Sequence, residues 1–560
     1  MTAILLLISC LYFAVATHLN HHGTFWSPDS NVRFEMVRSW AAGGSPIFLT
    51  YPGQEFDPTN SINPIGHTFA IRVSKGLCGI YNPVFVVACG VFYRLFGFGG
   101  LTVLPMLAGL ITIFVTYASA RLLNLRFRLP MTLLLGIASP LLIYSTIFWD
   151  HSLQIMLAAL ACYFVLCYLK NQRLVFCLLA SALLGFGVWV HPLQGVLFAA
   201  MGIALIAVQR KNTGKAAFVA LLGFLPFIIA LAAWNQATYG ALGGAHAVGT
   251  LRNLESGSPT GSFDLAKLWQ RAQLELLGVD DSSLAMVLIR VYIACYLLSL
   301  FTSKPIRRWA APILCFGAAE ILWKTIGETP WANGLFQGTP LLLPALAAPF
   351  LRPNPTDRIS SYRQICCRWM ALTAALFAVG VFLSPGFIGL NWGSRFLLTA
   401  LPLLALLSAY ALEAHFAEAE GRSRWAVLFL CTTLIATSIH SQFKGFELVS
   451  GHMDIYEKTV QDIETLDSPV LVSDAWQFSI QTLVAKRPRL RYLISGKPED
   501  QARLFEALRR ADTHEFTFIG SDYGAARTAE RAGRQAPHPF VPIKVNRTLG
   551  FVQVEFKEKR

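Results

Sequence analysis

The sequence predicts a polytopic α-helical membrane protein of about thirteen transmembrane helices, ending in a small extracytoplasmic α/β domain. Three observations predict this. Of 560 residues, 54% are hydrophobic and only 14% charged, with 40 Phe and a mean hydropathy of +0.50, far above the apolar share of a soluble domain. Apolar stretches long enough to cross a bilayer, about 17 to 25 residues each, recur as far as Ile439. From Gln442 onward the chain becomes charged, and short strand-like runs alternate with helical ones.

In chain order the predicted spans are Thr2–Leu19, Leu101–Ala120, Pro130–Phe148, Ser152–Leu169, Leu174–Val190, Leu193–Val208, Ala216–Trp234, Leu284–Phe301, Trp309–Trp323, Leu335–Leu351, Trp369–Phe387, Phe396–Leu412 and Trp425–Ile439. The first has a rival reading as a signal peptide cleaved after Ala14-Val15-Ala16. No Lys or Arg precedes its apolar run, where a signal would carry its charge, which favours an anchor. Within the loop that follows, residues 20–100, "SPDSNVRFEMVRSWAAGG" reads as an amphipathic surface helix. It starts near Asp29 or Ser30, turns Val32, Met36, Val37 and Trp40 to its apolar side, and closes at Gly43-Gly44.

Charge decides whether the apolar stretch Leu77–Gly97 spans. If it did, the basic turns at Arg121–Arg128, Lys170–Arg173, Arg210–Lys215, Lys304–Arg308 and Arg352–Arg368 would all face outward, against the positive-inside bias. Laid along the outer interface, it leaves the cytoplasmic loops with 17 Lys and Arg against four acids, Asp357, Glu413, Glu418 and Glu420. That topology puts the amino terminus inside and the carboxyl terminus outside. The net charge of +14 then records orientation in the membrane, and nucleic acid is excluded as a partner.

The expected domains are a membrane domain over residues 1–441 and an extracytoplasmic α/β domain over 442–560. In the latter, "SPVLVSD", "RLRYLIS", "EFTFIG", "FVPIKV" and "FVQVEF" read as strands and "KPEDQARLFEALRRA" as a helix. No Gly-rich phosphate loop opens its helices. All 11 cysteines fall in predicted spans, in the interfacial stretch or on the cytoplasmic side, and no CxxC pair reads as a metal site.

Several charged residues stand where charge is costly. Asp29 follows Ser-Pro just outside the first span, where it caps a helix or serves as a catalytic carboxylate. Lys75 is either a snorkelling interfacial anchor or a phosphate ligand. Asp150, with His151, occupies a turn of about three residues between two spans, so it is a polar turn or a functional acid. Arg395 caps the outer end of its span or binds a ligand. Arg290 and Glu320 fall inside adjacent spans and either pair with each other or leave Arg290 to reach a lipid phosphate.

Four motifs in order carry a family resemblance. They are "PDSNVRFEMVRS" after the first span, "SKGLCGIYNPVFVVACGVFYRLFG", the "SPLLIYSTIFWD" that closes a span at Asp150, and "NWGSRFLLTALPLLALL". With them the chain resembles the polyprenyl-phosphate-dependent membrane glycosyltransferases of the GT-C class, which include protein O-mannosyltransferases and aminoarabinose transferases. Relatives often place a second acid after the loop Asp, or a Lys-Pro-Pro; here Ser30 and Gly76 stand at those places. The resemblance implies sugar transfer from a polyprenyl-phosphate donor to a lipid, glycan or protein acceptor on the extracytoplasmic face, with inversion. It implies Asp29 as general base, Lys75 holding the departing phosphate and Asp150 orienting the acceptor or Lys75. Arg290 and Arg395 are the further phosphate candidates, and Arg33, Tyr81 and His151 the substrate-lining ones. Transfer from a phosphate leaving group calls for a base and cations and for no general acid. No cofactor is implied and the sequence offers no metal-ligand set, though a divalent metal stays open. Two other functions stay open: a transporter or flippase of lipid-linked sugars, for which no internal repeat is visible, and a non-catalytic family member.

Overall fold

The computed structural model describes residues 1–66, 69–209, 213–245, 248, 265–277, 334–350, 358–384, 392–418, 422–485, 489–494, 498–520, 540–548 and 551–558. The chain forms two compact units. The first comprises residues 1–16, 102–231 and 259–447, the second residues 17–101, 232–258 and 448–560.

The first unit is helical. After α1 (Thr2–Asn20), α2 (Pro28–Ala41) and α3 (Pro83–Phe96), the chain continues through α4 (Val103–Leu122), α5 (Arg128–Ile137), α6 (Leu141–Thr146), α7 (His151–Asn171), α8 (Leu174–Val188), α9 (Leu193–Val208) and α10 (Thr213–Tyr239). Helix α7 is apolar on every side and packs against α4 and α8. Ala158, Ala159 and Ala161 let its neighbours approach closely. It ends at Gln172 in the left-handed conformation. Among the described residues six segments are long and apolar enough to cross a membrane: Thr2–Asn20, Pro83–Leu122, His151–Asn171, Thr213–Tyr239, Tyr362–Leu383 and Leu398–Ala417. Helices α5, α8 and α9 are apolar but shorter. Large side chains such as Phe13, Phe218 and Phe429 are exposed, as lipid-facing residues would be.

Two predicted spans depart from single helices. Pro130–Phe148 is broken at Ser139-Pro140 into α5 and the six-residue α6. Leu335–Leu351 is a run of short pieces, Leu335–Gly338, Pro340–Leu346 and Ala348–Phe350. The cause is proline: Pro140, Pro340, Pro344 and Pro349 each lack the N–H that a continuous helix needs. The predicted spans Leu284–Phe301 and Trp309–Trp323 lie outside the described residues. The expected domain boundary at 441/442 falls inside one unbroken helix, Arg422–Glu464.

The second unit holds α2, α3, an antiparallel hairpin of β1 (Ala70–Val73) and β2 (Gly76–Gly79), and a five-stranded sheet. Its strands are β3 (Val470–Ser473), β4 (Leu490–Leu493), β5 (Glu515–Gly520), β6 (Phe540–Thr548) and β7 (Phe551–Glu558), in the order β4-β3-β5-β7-β6. The three on the β4 side run parallel and the hairpin β6–β7 antiparallel. Pro542 sits at a bulge in β6, an edge strand, where a missing donor is tolerated. The other edge, β4, is covered by the loop after α2: Arg491 N donates to the Pro52 carbonyl (3.1 Å) and Leu493 N to that of Ile62 (2.8 Å). Asp57 holds that loop by accepting from Tyr51 Oη and the Ser61 and Ile62 amides.

Helix α2 corrects the sequence reading in one respect. It was expected to lie amphipathically at a surface, yet Ser30 through Val37 are buried without interruption, Arg33 and Glu35 included. In this unit it packs against α3, β2 and the short helix Trp476–Gln481. Polar residues on its far side therefore meet protein.

Candidate functional site

Two polar clusters, one in each unit, contain Asp29, Arg33 and Tyr81 on the one hand and Asp150, His151 and Arg395 on the other. In the second unit Ser27 is the N-cap of α2, its Oγ accepting from the Asp29 amide at 3.2 Å. Asp29 itself lies in the first turn of the helix. Its carboxylate accepts two hydroxyl hydrogen bonds, from Ser27 Oγ to Oδ2 at 3.0 Å and from Tyr81 Oη to Oδ1. The Arg33 guanidinium, one turn along α2, stacks 3.8 Å above the Tyr81 ring, a cation–π contact that fixes the ring. Both carboxylate oxygens are thus oriented by hydroxyl donors.

Close packing of α2 on α3 and β2 accompanies this geometry. A Cβ on Gly90 would come within 2.5 Å of the Trp40 ring, and one on Gly79 within 2.6 Å of Met36 Sδ. Arg94 closes the far end of α2 by donating to the Trp40 carbonyl at 2.8 Å. Lys75 is exposed at the tip of the β1–β2 hairpin, next to Gly76 with its φ of +137°.

In the first unit Asp150 stands at the N-cap position of α7, 3% exposed, and its side chain makes no capping bond. His151 is equally buried; its Nδ1 lies 3.2 Å from Gln154 Nε2, and its ring meets Tyr144 edge-on at 5.2 Å. Arg395 lies over two rings, 4.8 Å from the centroid of Phe396 and 5.3 Å from that of Trp149. The third and fourth motifs meet here: the Trp392 amide donates to Tyr144 Oη at 3.1 Å, and Gly393, at φ +66°, lies against Pro140. Arg290 and Glu320 lie outside the described residues.

Four residues of these clusters were not found from the sequence. In the helix Leu265–Leu277, Glu275 accepts from Ser394 Oγ, beside Arg395 in the chain. Burial pushes its carboxyl above the usual range, while Ser394, Arg271 and Arg395 oppose that. Arg271, one turn earlier, donates to the Ser384 carbonyl. Gln194 Nε2 donates at 3.0 Å to the carbonyl of Gln154, the partner of His151. The signal for the first two was the amphipathic run "LAKLWQRAQLELL", which lies in what reads as an outer loop. An apolar cavity of about 250 Å³ in the same unit, lined by Met131, Leu342, Leu412 and Ile435, contains none of the candidate residues.

No family model matches the chain, and no curated protein matches it in sequence. Among solved structures it is similar to ArnT from Cupriavidus metallidurans bound to undecaprenyl phosphate, at 13% identity and a TM-score of 0.48, over 99% of this chain and 97% of that one. It is similar also to the apo state of the same protein, at 12% identity and a TM-score of 0.47, over 99% and 98%.

Proposed function

We propose that the chain is an integral membrane glycosyltransferase that moves a sugar from a polyprenyl-phosphate donor to an acceptor hydroxyl on the extracytoplasmic face, with inversion, Asp29 acting as general base. The observation that carries this reading is the Asp29 carboxylate itself, set in the first turn of a helix that Ser27 caps and oriented by two hydroxyls. The reaction then needs little else. The acceptor oxygen attacks the anomeric carbon from the face opposite the phosphate and passes its proton to Asp29. The anomeric C–O bond breaks, and the electron pair leaves on the polyprenyl phosphate. Cations stabilise that developing charge. Lys75, exposed and flexible, suits a point-charge contact. Arg395 presents a guanidinium already held by two rings. Arg33 and Tyr81 act through Asp29 as positioning residues, and by the resemblance alone Asp150 orients the acceptor or Lys75 and His151 lines the substrate.

Donor turnover in membranes that contain the native acceptor tests the reading: release of polyprenyl phosphate from a panel of radiolabelled polyprenyl-phosphate sugars. Transfer that depends on the chain supports it. Movement of intact donor across the bilayer without transfer would make the protein a flippase.

A further inference from the structure

We infer that the turn after α1 forms a divalent-cation site of zinc-type ligand chemistry with the helix Arg422–Glu464, its ligands being His22, Asp454 and Glu457. The three ligand atoms lie within 4.8 Å of one another. Glu457 Oε2 is 2.8 Å and Asp454 Oδ1 3.4 Å from the same nitrogen, His22 Nδ1. Asp454 and Glu457 are three residues apart on the helix and so present their carboxylates on one side. A tetrahedral site with bonds of about 2.1 Å separates its ligand atoms by about 3.4 Å, and the two distances to His22 Nδ1, 2.8 and 3.4 Å, lie at or just below that spacing.

A bare ion pair accounts for this geometry less well. Nδ1 carries at most one hydrogen, which serves the closer Glu457 and leaves the second carboxylate drawn to a nitrogen that cannot donate again. A cation uses both. Three further features suit a ligand set. The His22 side chain is 10% exposed, whereas Asp454 is half-exposed, which gives an ion a way in. Gln461 Nε2 donates at 3.2 Å to Glu457 Oε1, the outer bond that orients a ligating carboxylate. The rings of His18 and His21 lie 6.0 and 6.3 Å from that of His22, and both residues are exposed, so either imidazole can turn to supply a fourth ligand. Thr24 Oγ1 donates at 3.1 Å to the Met453 carbonyl, fixing the turn against the helix beside the site. An ion here staples together two segments more than 400 residues apart in sequence. The site does not depend on the transfer reaction.

The test uses the untagged full chain in detergent, stripped with EDTA and titrated with ZnCl₂, with MgCl₂ as control. Metal content is read after gel filtration, together with the melting temperature. The expected result is about one Zn²⁺ per chain and a higher melting temperature with zinc than with magnesium. Losing one ligand should weaken uptake at least tenfold in His22→Ala and in the gentler Glu457→Gln. His452→Ala, on the same helix and outside the ligand set, should bind as wild type. Absence of stoichiometric uptake, or uptake that survives both ligand substitutions, overturns the site.

Discussion

Ser27 holds the N-cap position that the sequence reading offered to Asp29. Ser27 caps the helix, so Ser27→Ala should lower stability by about 1 kcal/mol, measured as melting temperature in detergent. Tyr81→Phe keeps the ring under Arg33 and removes only the hydroxyl that Asp29 accepts from. It should leave melting unchanged and lower turnover about tenfold, a loss of roughly 1.4 kcal/mol in transition-state stabilisation. Unchanged turnover would remove Tyr81 from positioning the base. Asp29 was legible because its motif could be placed after the first span. The Tyr81 bond was not, because it closes across more than 50 residues. Glu35 was invisible for the same reason. Burial raises its carboxyl to about 7, against the opposing charges of Arg38 and Arg491. The Arg38 contact at 3.1 Å does not reverse this, since that guanidinium is half-exposed and screened. Folded Glu35 keeps its proton between the ordinary carboxylate value and about 7, where the unfolded chain has lost it. Its contribution is therefore most favourable below that window and declines as pH rises through it. The melting temperature should fall more steeply from pH 5 to 7 in wild type than in Glu35→Gln. Parallel profiles would place Glu35 in a solvated setting.

Elements show where periodicity carries and where it stops. All five strands read in the tail are strands of one sheet, because alternating apolar residues and their turns are local signals. "KPEDQARLFEALRRA" is likewise a helix, Pro498–Arg510, burying Leu504 and Leu508. Hydropathy misjudged Pro130–Phe148 and Leu335–Leu351, since a window average does not register the amide that each proline lacks. The meeting of the third and fourth motifs at Pro140 and Gly393 was beyond any local signal. A Cβ at Gly393 would stand 2.3 Å from Pro140 Cγ, on a backbone at φ +66°. Gly393→Ala should therefore destabilise by about 1–3 kcal/mol or more and lower the yield of folded protein. An alanine variant with wild-type melting would show that this contact yields without cost.

For the whole molecule, composition and loop charge were enough to read a helical membrane protein with an α/β tail, because they sum over hundreds of residues. The grouping of residues 17–101 with 448–560 in one compact unit was not legible, since it depends on long-range pairing such as that of β4 with residues 52–62. The thirteen-span topology makes its own prediction. A reporter fused after Gly97 should be extracytoplasmic and one near Asn124 cytoplasmic, as the positive-inside bias requires; a cytoplasmic signal at Gly97 would invert the placement of Asp150. The central claim, that a carboxylate on α2 takes the acceptor proton, is tested most directly by sugar transfer with Asp29→Asn. The substitution keeps the volume and leaves the Ser27 cap in place, so melting should match wild type. Transfer from the polyprenyl-phosphate donor should fall by about 10²- to 10⁴-fold, the usual cost of losing a general base. A folded Asp29→Asn protein that transfers sugar at the wild-type rate would contradict the account.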